Sequence, residues 1–220
     1  MTKIVLIIPA AGTSTRFKSE IPKQFHVING KTVLEHTLDA FIGVELEECI
    51  IAVNEASEKK VQAISNACAY PITIVRGGAT RADSVREAFF SAKPSDVTLI
   101  HDAARMCLSK PLIQLIIQAS ENYDAVIPAI PVTDTIKQVK NDRVVQTLAR
   151  EELVAVQTPQ AFNTNVLRNA YENYYNDAIT DEARLIEVAG HSVTIVKGDP
   201  ENIKITYPID LESARHFLKR

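Results

Sequence analysis

The chain has 220 residues, 46% of them hydrophobic and 23% charged, which is enough apolar material for one sizeable core in one ordinary domain. Its 24 Lys and Arg against 27 Asp and Glu leave a net charge of −3. That balance excludes a general nucleic-acid or membrane-surface binder, which would carry a basic excess. Cys49, Cys68 and Cys107 stand at no metal-type spacing. Cys49 and Cys68 lie in apolar-patterned segments and read as small core residues. The first apolar run is too short for a signal-peptide core and no later one is long enough to span a bilayer, so a cytoplasmic location is expected.

In chain order, KIVLII (3–8) reads as a buried strand because it is apolar on both faces. It runs into Pro9, Ala10, Ala11 and Gly12, and then into Arg16, Lys18 and Lys23. Small residues let a backbone approach a ligand closely, and successive N–H groups cradle phosphate oxygens. Arg16 and Lys23 then supply charge suited to a triphosphate; a solvated basic turn feeding a helix is the plainer alternative. The loop is neither a Walker A loop nor a GxGxxG turn. Arg16 also stands where a hydrolase elbow requires glycine.

TVLEHTLDAFI (32–42) and EKKVQAISNACAY (58–70) carry helical apolar spacing, with CIIAV (49–53) and ITIV (72–75) as strands. In RGGATRADSV (76–85), Gly77 and Gly78 permit close approach to a flat or charged group, and Ser84 is suited to a base edge or a sugar. The following strand, DVTLIHD (96–102), ends in His101-Asp102. Strand alternation sends those two side chains to opposite faces, so they make a poor catalytic couple. Asp102 suits Mg²⁺, a ligand hydroxyl or a helix cap. Arg105 favours an anion nearby. KPLIQLIIQASEN (110–122) is a helix and AVIPAI (125–130) a strand.

Residues 133–153 break this rhythm with strand-like alternation either side of Asn141-Asp142, a turn signal. Such a hairpin has little core of its own and is marginal alone, so a partner subunit is expected to support it. QTPQAF (157–162) and AITDEA (178–183) contribute Thr158 and Thr180, each equally credible as a site residue or as a turn or cap. NTNVLRNAYENYYND (163–177) and TDEARLIEVAG (180–190) look helical, SVTIV (192–196) is a strand, and PIDLESARHFLKR (208–220) closes as a helix. Between them NIKITYP (202–208) reads as a strand-like piece, with Lys204 either a site cation or a snorkelling edge residue. The alternation predicts an α/β fold: a three-layer, doubly wound, mostly parallel sheet in one domain over 1–220, with 133–153 as a protruding β-hairpin arm. Ligands bind such folds beyond the carboxyl ends of the strands.

The ordered set PAAGTSTRF, PKQF, GGATRADSV, HDAAR, DTIK, Arg150, TPQAF, TDEA and NIKITYP resembles the 2-C-methyl-D-erythritol 4-phosphate cytidylyltransferase family from Ile4 to about Ala214. The resemblance implies a Rossmann-like nucleotidyltransferase that moves CMP from CTP to the methylerythritol phosphate with Mg²⁺, releasing pyrophosphate. It also implies a homodimer joined through the arm, and no nucleic-acid or membrane partner. It assigns catalysis to Arg16, Lys23, Arg150 and Lys204. Nucleotide binding falls to Pro9, Ala10, Ala11, Gly12, Gly78, Ser84 and Ala103. The acceptor falls to Asp102, Arg105, Thr135, Arg150, Thr180 and Lys204, with Asp102 also at the metal. Two residues depart from the pattern: Ser14 replaces a second glycine, and Met106 replaces a proline after the arginine. Ribitol-5-phosphate cytidylyltransferases and a non-catalytic nucleotide-binding module are the alternatives. PAAG, RADSV and DTIK argue against the first, and the retention of Arg150 and Lys204 against the second.

Overall fold

The computed structural model describes residues 2–12, 17–176 and 178–218. The expected strands form first: β1 (Ile4–Pro9), then, after a 3-10 turn at Lys23–Phe25, a small hairpin of β2 (Val27–Ile28) and β3 (Lys31–Thr32). These lead into α1 (Val33–Asp39), β4 (Glu48–Val53), α2 (Glu55–Asn66), β5 (Ile72–Arg76), α3 (Arg81–Ser91) and β6 (Val97–Ile100). Next come α4 (Lys110–Ser120), β7 (Ala125–Pro131), β8 (Lys137–Lys140), β9 (Arg143–Thr147) and β10 (Val154–Val156). The chain closes with β11 (Gln160–Asn163), α5 (Thr164–Tyr174), α6 (Glu182–Val188), β12 (Thr194–Lys197) and α7 (Ile209–Phe217).

Why the strands are apolar on both sides is visible in β1. Ile4, Leu6 and Ile8 pack with Leu34 of α1, Val61 of α2 and Ile113 of α4. Val5 and Ile7 pack on the other face with Val85 of α3, Leu167 of α5 and Leu185 of α6. Period-two alternation therefore feeds two cores, and helices cover both faces of one sheet. Each such Leu or Ile contributes about 1.5–3 kcal/mol on full burial.

The sheet runs β5, β4, β1, β6, β11, β7, β12. β1, β4, β5 and β6 are parallel, as are β7 and β12, while β11 lies antiparallel between β6 and β7. β10 and β11 pair with successive stretches of one edge of β7. β11 is not among the expected strands; Thr158 lies just before it, outside any strand. β11 spans only four residues, too few to display a period, yet Ala161 enters one core and Phe162 the other. The chain winds from β1 outward to β5 and returns as β6 on the opposite side of β1. This reversal opens a crevice beyond their carboxyl ends.

A second correction concerns 202–206, which pairs in no strand. One backbone bond ties it to the loop after β6, the Ile205 N–H donating to the Ala104 carbonyl (2.8 Å), and side chains make its other links, with Asn202 and Ile205 buried. The arm forms as expected. β8 and β9 make their own two-stranded sheet, and Asn141 (φ 50°) and Asp142 (φ 58°) give the left-handed pair that a two-residue hairpin loop needs. Val139, Val144 and Val145 on it are 58–64% exposed.

Candidate active site

At the carboxyl ends of β1 and β6 lies a hollow of about 400 Å³, lined among others by Pro9, Ala10, Ala11, Gly12, Lys23 and Gly78, with Ser84, Asp102, Ala103 and Lys204. The loop after β1 is continuous with the sheet, since the Ala10 N–H donates to the Ala52 carbonyl (2.8 Å). Opposite it the chain needs two glycines. A Cβ on Gly77 would stand 2.7 Å from that of Ala11, and one on Gly78 2.3 Å from that of Asp83. Thr80 and Asp83 close a capping box over α3, and the Tyr175 hydroxyl donates to Asp83 (2.6 Å). These bonds hold the Asp83 carboxyl below its usual range, Tyr175 contributing most. Ser84 is buried, and its hydroxyl donates to the Thr80 carbonyl (2.8 Å). Its single proton is spent there, so toward the hollow it is an acceptor.

Asp102 forms the electrostatic centre. Its Oδ1 accepts from Arg81 Nε (3.1 Å) and its Oδ2 from Lys204 Nζ (2.7 Å), with Arg105 Nε at 3.7 Å. Burial alone would raise its pKa, but Arg81, Lys204 and Arg105 outweigh burial and hold the carboxyl well below the usual range. Arg81 is shared: its Nη1 donates to Glu182 (3.0 Å), a fully buried carboxylate that also accepts from the Tyr171 hydroxyl (3.2 Å). Lys23 Nζ donates to the Ile205 carbonyl (2.6 Å), so the two lysines meet through adjacent residues of one segment.

His101 belongs to the frame. Its Nε2 faces the Arg105 carbonyl (3.1 Å), which only accepts, so Nε2 carries the proton. Nδ1 then accepts from the Thr158 hydroxyl (3.0 Å), whose oxygen accepts from the Asp102 N–H (3.0 Å). Complete burial lowers the imidazole pKa to about 4 and keeps the ring neutral. His101 and Asp102 are thus not a catalytic couple, and Thr158 is the buried link between strand end and site.

Asp102 is the one carboxylate among the described residues lining the hollow. No group of three or more His, Cys, Asp or Glu forms a metal cage among those residues. A single carboxylate on the wall of an open hollow nonetheless fits Mg²⁺, which takes one or two carboxylates and completes its shell with substrate oxygens and water.

The sequence pattern described as IspD: 2-C-methyl-D-erythritol 4-phosphate cytidylyltransferase matches residues 4–220. Enzymes of that name from Alteromonas mediterranea and Acinetobacter baylyi are 40% and 41% identical, covering 99% and 98% of this chain and 94% and 93% of their own. The chain belongs to the 2-C-methyl-D-erythritol 4-phosphate cytidylyltransferase family. A solved 4-diphosphocytidyl-2C-methyl-D-erythritol synthase from Anaerococcus prevotii superimposes with a TM-score of 0.86 at 32% identity, over 100% of this chain and 99% of that one. The protein is accordingly a nucleotidyltransferase with this family's fold.

Of the residues that family resemblance singled out, the hollow gathers ten: Pro9, Ala10, Ala11, Gly12, Lys23, Gly78, Ser84, Asp102, Ala103 and Lys204. Arg16 and Ser14 lie outside the described residues. Arg105 is not on the wall. It is buried behind Asp102, donating to the Asn202 (2.8 Å) and Val156 (3.3 Å) carbonyls. Thr135 and Arg150 sit on the exposed arm, Arg150 donating to the Thr133 carbonyl (3.0 Å), and Thr180 is exposed beside α6. Met106 is buried with Phe17 and Ile205, so the residue that replaces proline fills a small apolar cluster. Sequence reasoning assigned Arg81 no part in the site. Its partner Glu182 is 101 residues away, and only the fold unites them.

Proposed function

We propose that the chain transfers CMP from CTP to 2-C-methyl-D-erythritol 4-phosphate and releases pyrophosphate, working as a cytoplasmic homodimer with Mg²⁺. The observation that carries the reading is the hollow itself: small residues and glycines on its walls, Lys23 and Lys204 converging over it, and no side chain poised to take a proton. His101 has both ring nitrogens committed, and Asp102 is held as an ion-paired carboxylate.

Cytidylyl transfer needs no such base, because the attacking group is already an anion. A phosphate oxygen of the acceptor forms a bond to the α-phosphorus of CTP, the bond from that phosphorus to the bridging oxygen breaks, and pyrophosphate leaves with the electron pair. The barrier lies in bringing two anions together. Lys23, Lys204 and Arg16 supply positive charge where it accumulates, and the fixed loops supply orientation. Asp102 would hold Mg²⁺ together with substrate phosphates, the ion neutralising part of the triphosphate charge. The acceptor hydroxyl in Ser84 takes an N–H of the base or a sugar hydroxyl.

One domain spans 1–220 in this reading, and its arm, 133–153, reaches a second copy. Thr135 and Arg150 stand there and bind the acceptor phosphate in the partner's hollow, where Thr180 and Lys204 complete the pocket. The exposed valines of the arm support this, since an uncovered two-stranded ribbon is marginal in water. Free thiols at Cys49, Cys68 and Cys107 suit a reducing compartment.

Pyrophosphate release from CTP, measured in parallel with methylerythritol phosphate and ribitol 5-phosphate, tests the assignment. Preference for the first acceptor is expected. Equal or better use of ribitol 5-phosphate would reverse it, and CTP binding without turnover would favour a nucleotide sensor.

A further inference from the structure

Asn54 follows β4 directly, and β4 is the parallel neighbour of β1, so its side chain stands beside the loop that leaves β1. Its Oδ1 accepts from the Ser57 N–H (2.9 Å) and caps α2. Its Nδ2 donates to the Ala11 carbonyl (2.9 Å). The orientation of the amide is forced, because a backbone N–H needs the oxygen and a carbonyl needs the nitrogen. From the other side, Gln24, itself buried, donates to the Ala10 carbonyl (2.9 Å). Two consecutive carbonyls of the loop are therefore held by two side-chain amides.

Within a trans peptide unit the C=O and the next N–H point in opposite directions. Holding the Ala10 carbonyl turns the Ala11 N–H away from Gln24, and holding the Ala11 carbonyl turns the Gly12 N–H away from Asn54. No acceptor among the described residues takes either N–H. A loop with its carbonyls tied back and its amides free is suited to phosphate oxygens. We propose that Asn54 is a nucleotide-positioning residue, which fixes the Ala11-Gly12 peptide so that its N–H meets the triphosphate. The proposal rests on the cytidylyl-transfer reading of the hollow.

The double use of Asn54 allows the cap and the strap to be separated. Serine and aspartate cap helices about as well as asparagine. Neither can donate to the Ala11 carbonyl while capping: serine is too short, and a carboxylate has no proton to give. Asn54→Ser and Asn54→Asp are to be compared with the unsubstituted protein for thermal midpoint, CTP dissociation constant by calorimetry with Mg²⁺, and KM for methylerythritol phosphate. The expectation is an unchanged midpoint and acceptor KM, with CTP binding about three- to tenfold weaker in Asn54→Ser, the range of one lost hydrogen bond. Asn54→Asp should be weaker still, because it adds a negative charge. CTP binding by Asn54→Ser equal to the unsubstituted protein overturns the proposal, and a loss confined to Asn54→Asp reduces the effect to charge repulsion. A parallel fall in midpoint and in affinity for both substrates would also overturn it, by showing a structural role only. If the unsubstituted protein neither binds nor turns over CTP, the cytidylyl-transfer reading itself fails, a result distinct from all of these.

Discussion

Around Asp102, three cations stand within 3.7 Å of a carboxylate whose side chain is 9% exposed. At the root of the arm, Arg150 is 53% exposed and pairs only loosely with its neighbour Glu151 at 3.4 Å. The contrast separates two ways of building a site. The hollow is made by one chain: its charges are fixed by burial and by partners from β6, α3 and the Lys204 segment. An exposed ion pair such as that of Arg150 holds its side chain weakly, contributing about 0–1 kcal/mol. A residue proposed to grip a phosphate needs firmer support, and in the proposed dimer a second copy would supply it.

The comparison can be broken at several strengths. Lys204→Ala removes a cation from the wall of the hollow and should lower turnover about 10²–10³-fold, as loss of one transition-state donor does. Pyrophosphate release measures it, and a Lys204→Ala variant with normal turnover would remove the hollow from the chemistry. Arg150→Ala should leave CTP binding intact and raise the acceptor KM about tenfold, the scale of a charge-assisted hydrogen bond. Unchanged acceptor kinetics would show that the arm does not reach a site.

A smaller effect separates frame from arm by pH. Folding depresses the His101 pKa to about 4 from an unfolded value near 6.5. Between these values the unfolded chain binds more protons, so stability falls as pH drops from about 6.5 toward 4, with a slope of up to about 1.4 kcal/mol per pH unit. Urea midpoints at pH 7 and pH 5 check this, and His101→Asn should flatten the dependence. The smallest expected change in monomer stability comes from Val144→Ser, within about 0.5 kcal/mol at an exposed position. The same substitution should weaken self-association measured by sedimentation.

Much of this organisation was legible in the chain itself. β1, β4 and β6 announced themselves because both faces of each strand are buried, which forces an unbroken apolar run. The loop at 9–12 and Asp102 stood out because small or charged residues punctuated those runs at strand ends, and Lys204 because a lysine interrupts a short apolar piece. The arm was found because its alternation lacked enough apolar residues to hold it alone. Other features left no local trace. β11 borrows its stability from β6 and β7 and is too short to show a pattern. The Lys204 segment carries strand-like residues, but it has one backbone bond to Ala104 and no ladder. Arg81 with Glu182, and Asn54 with Ala11, are contacts between distant stretches whose members look like ordinary helix-end residues when read singly.

The central claim is that one functional site takes its hollow from one chain and its arm from another. Mixing Lys204→Ala with Arg150→Ala protein, after dissociation and reassociation, tests this directly. In the mixed dimer the intact hollow of one variant faces the intact arm of the other, so, at acceptor concentrations well below KM where both variants alone are nearly inactive, random exchange should restore about one quarter of the unsubstituted activity. A mixture no more active than the mean of its two components would contradict the claim, since a site built within one chain is never repaired by exchange.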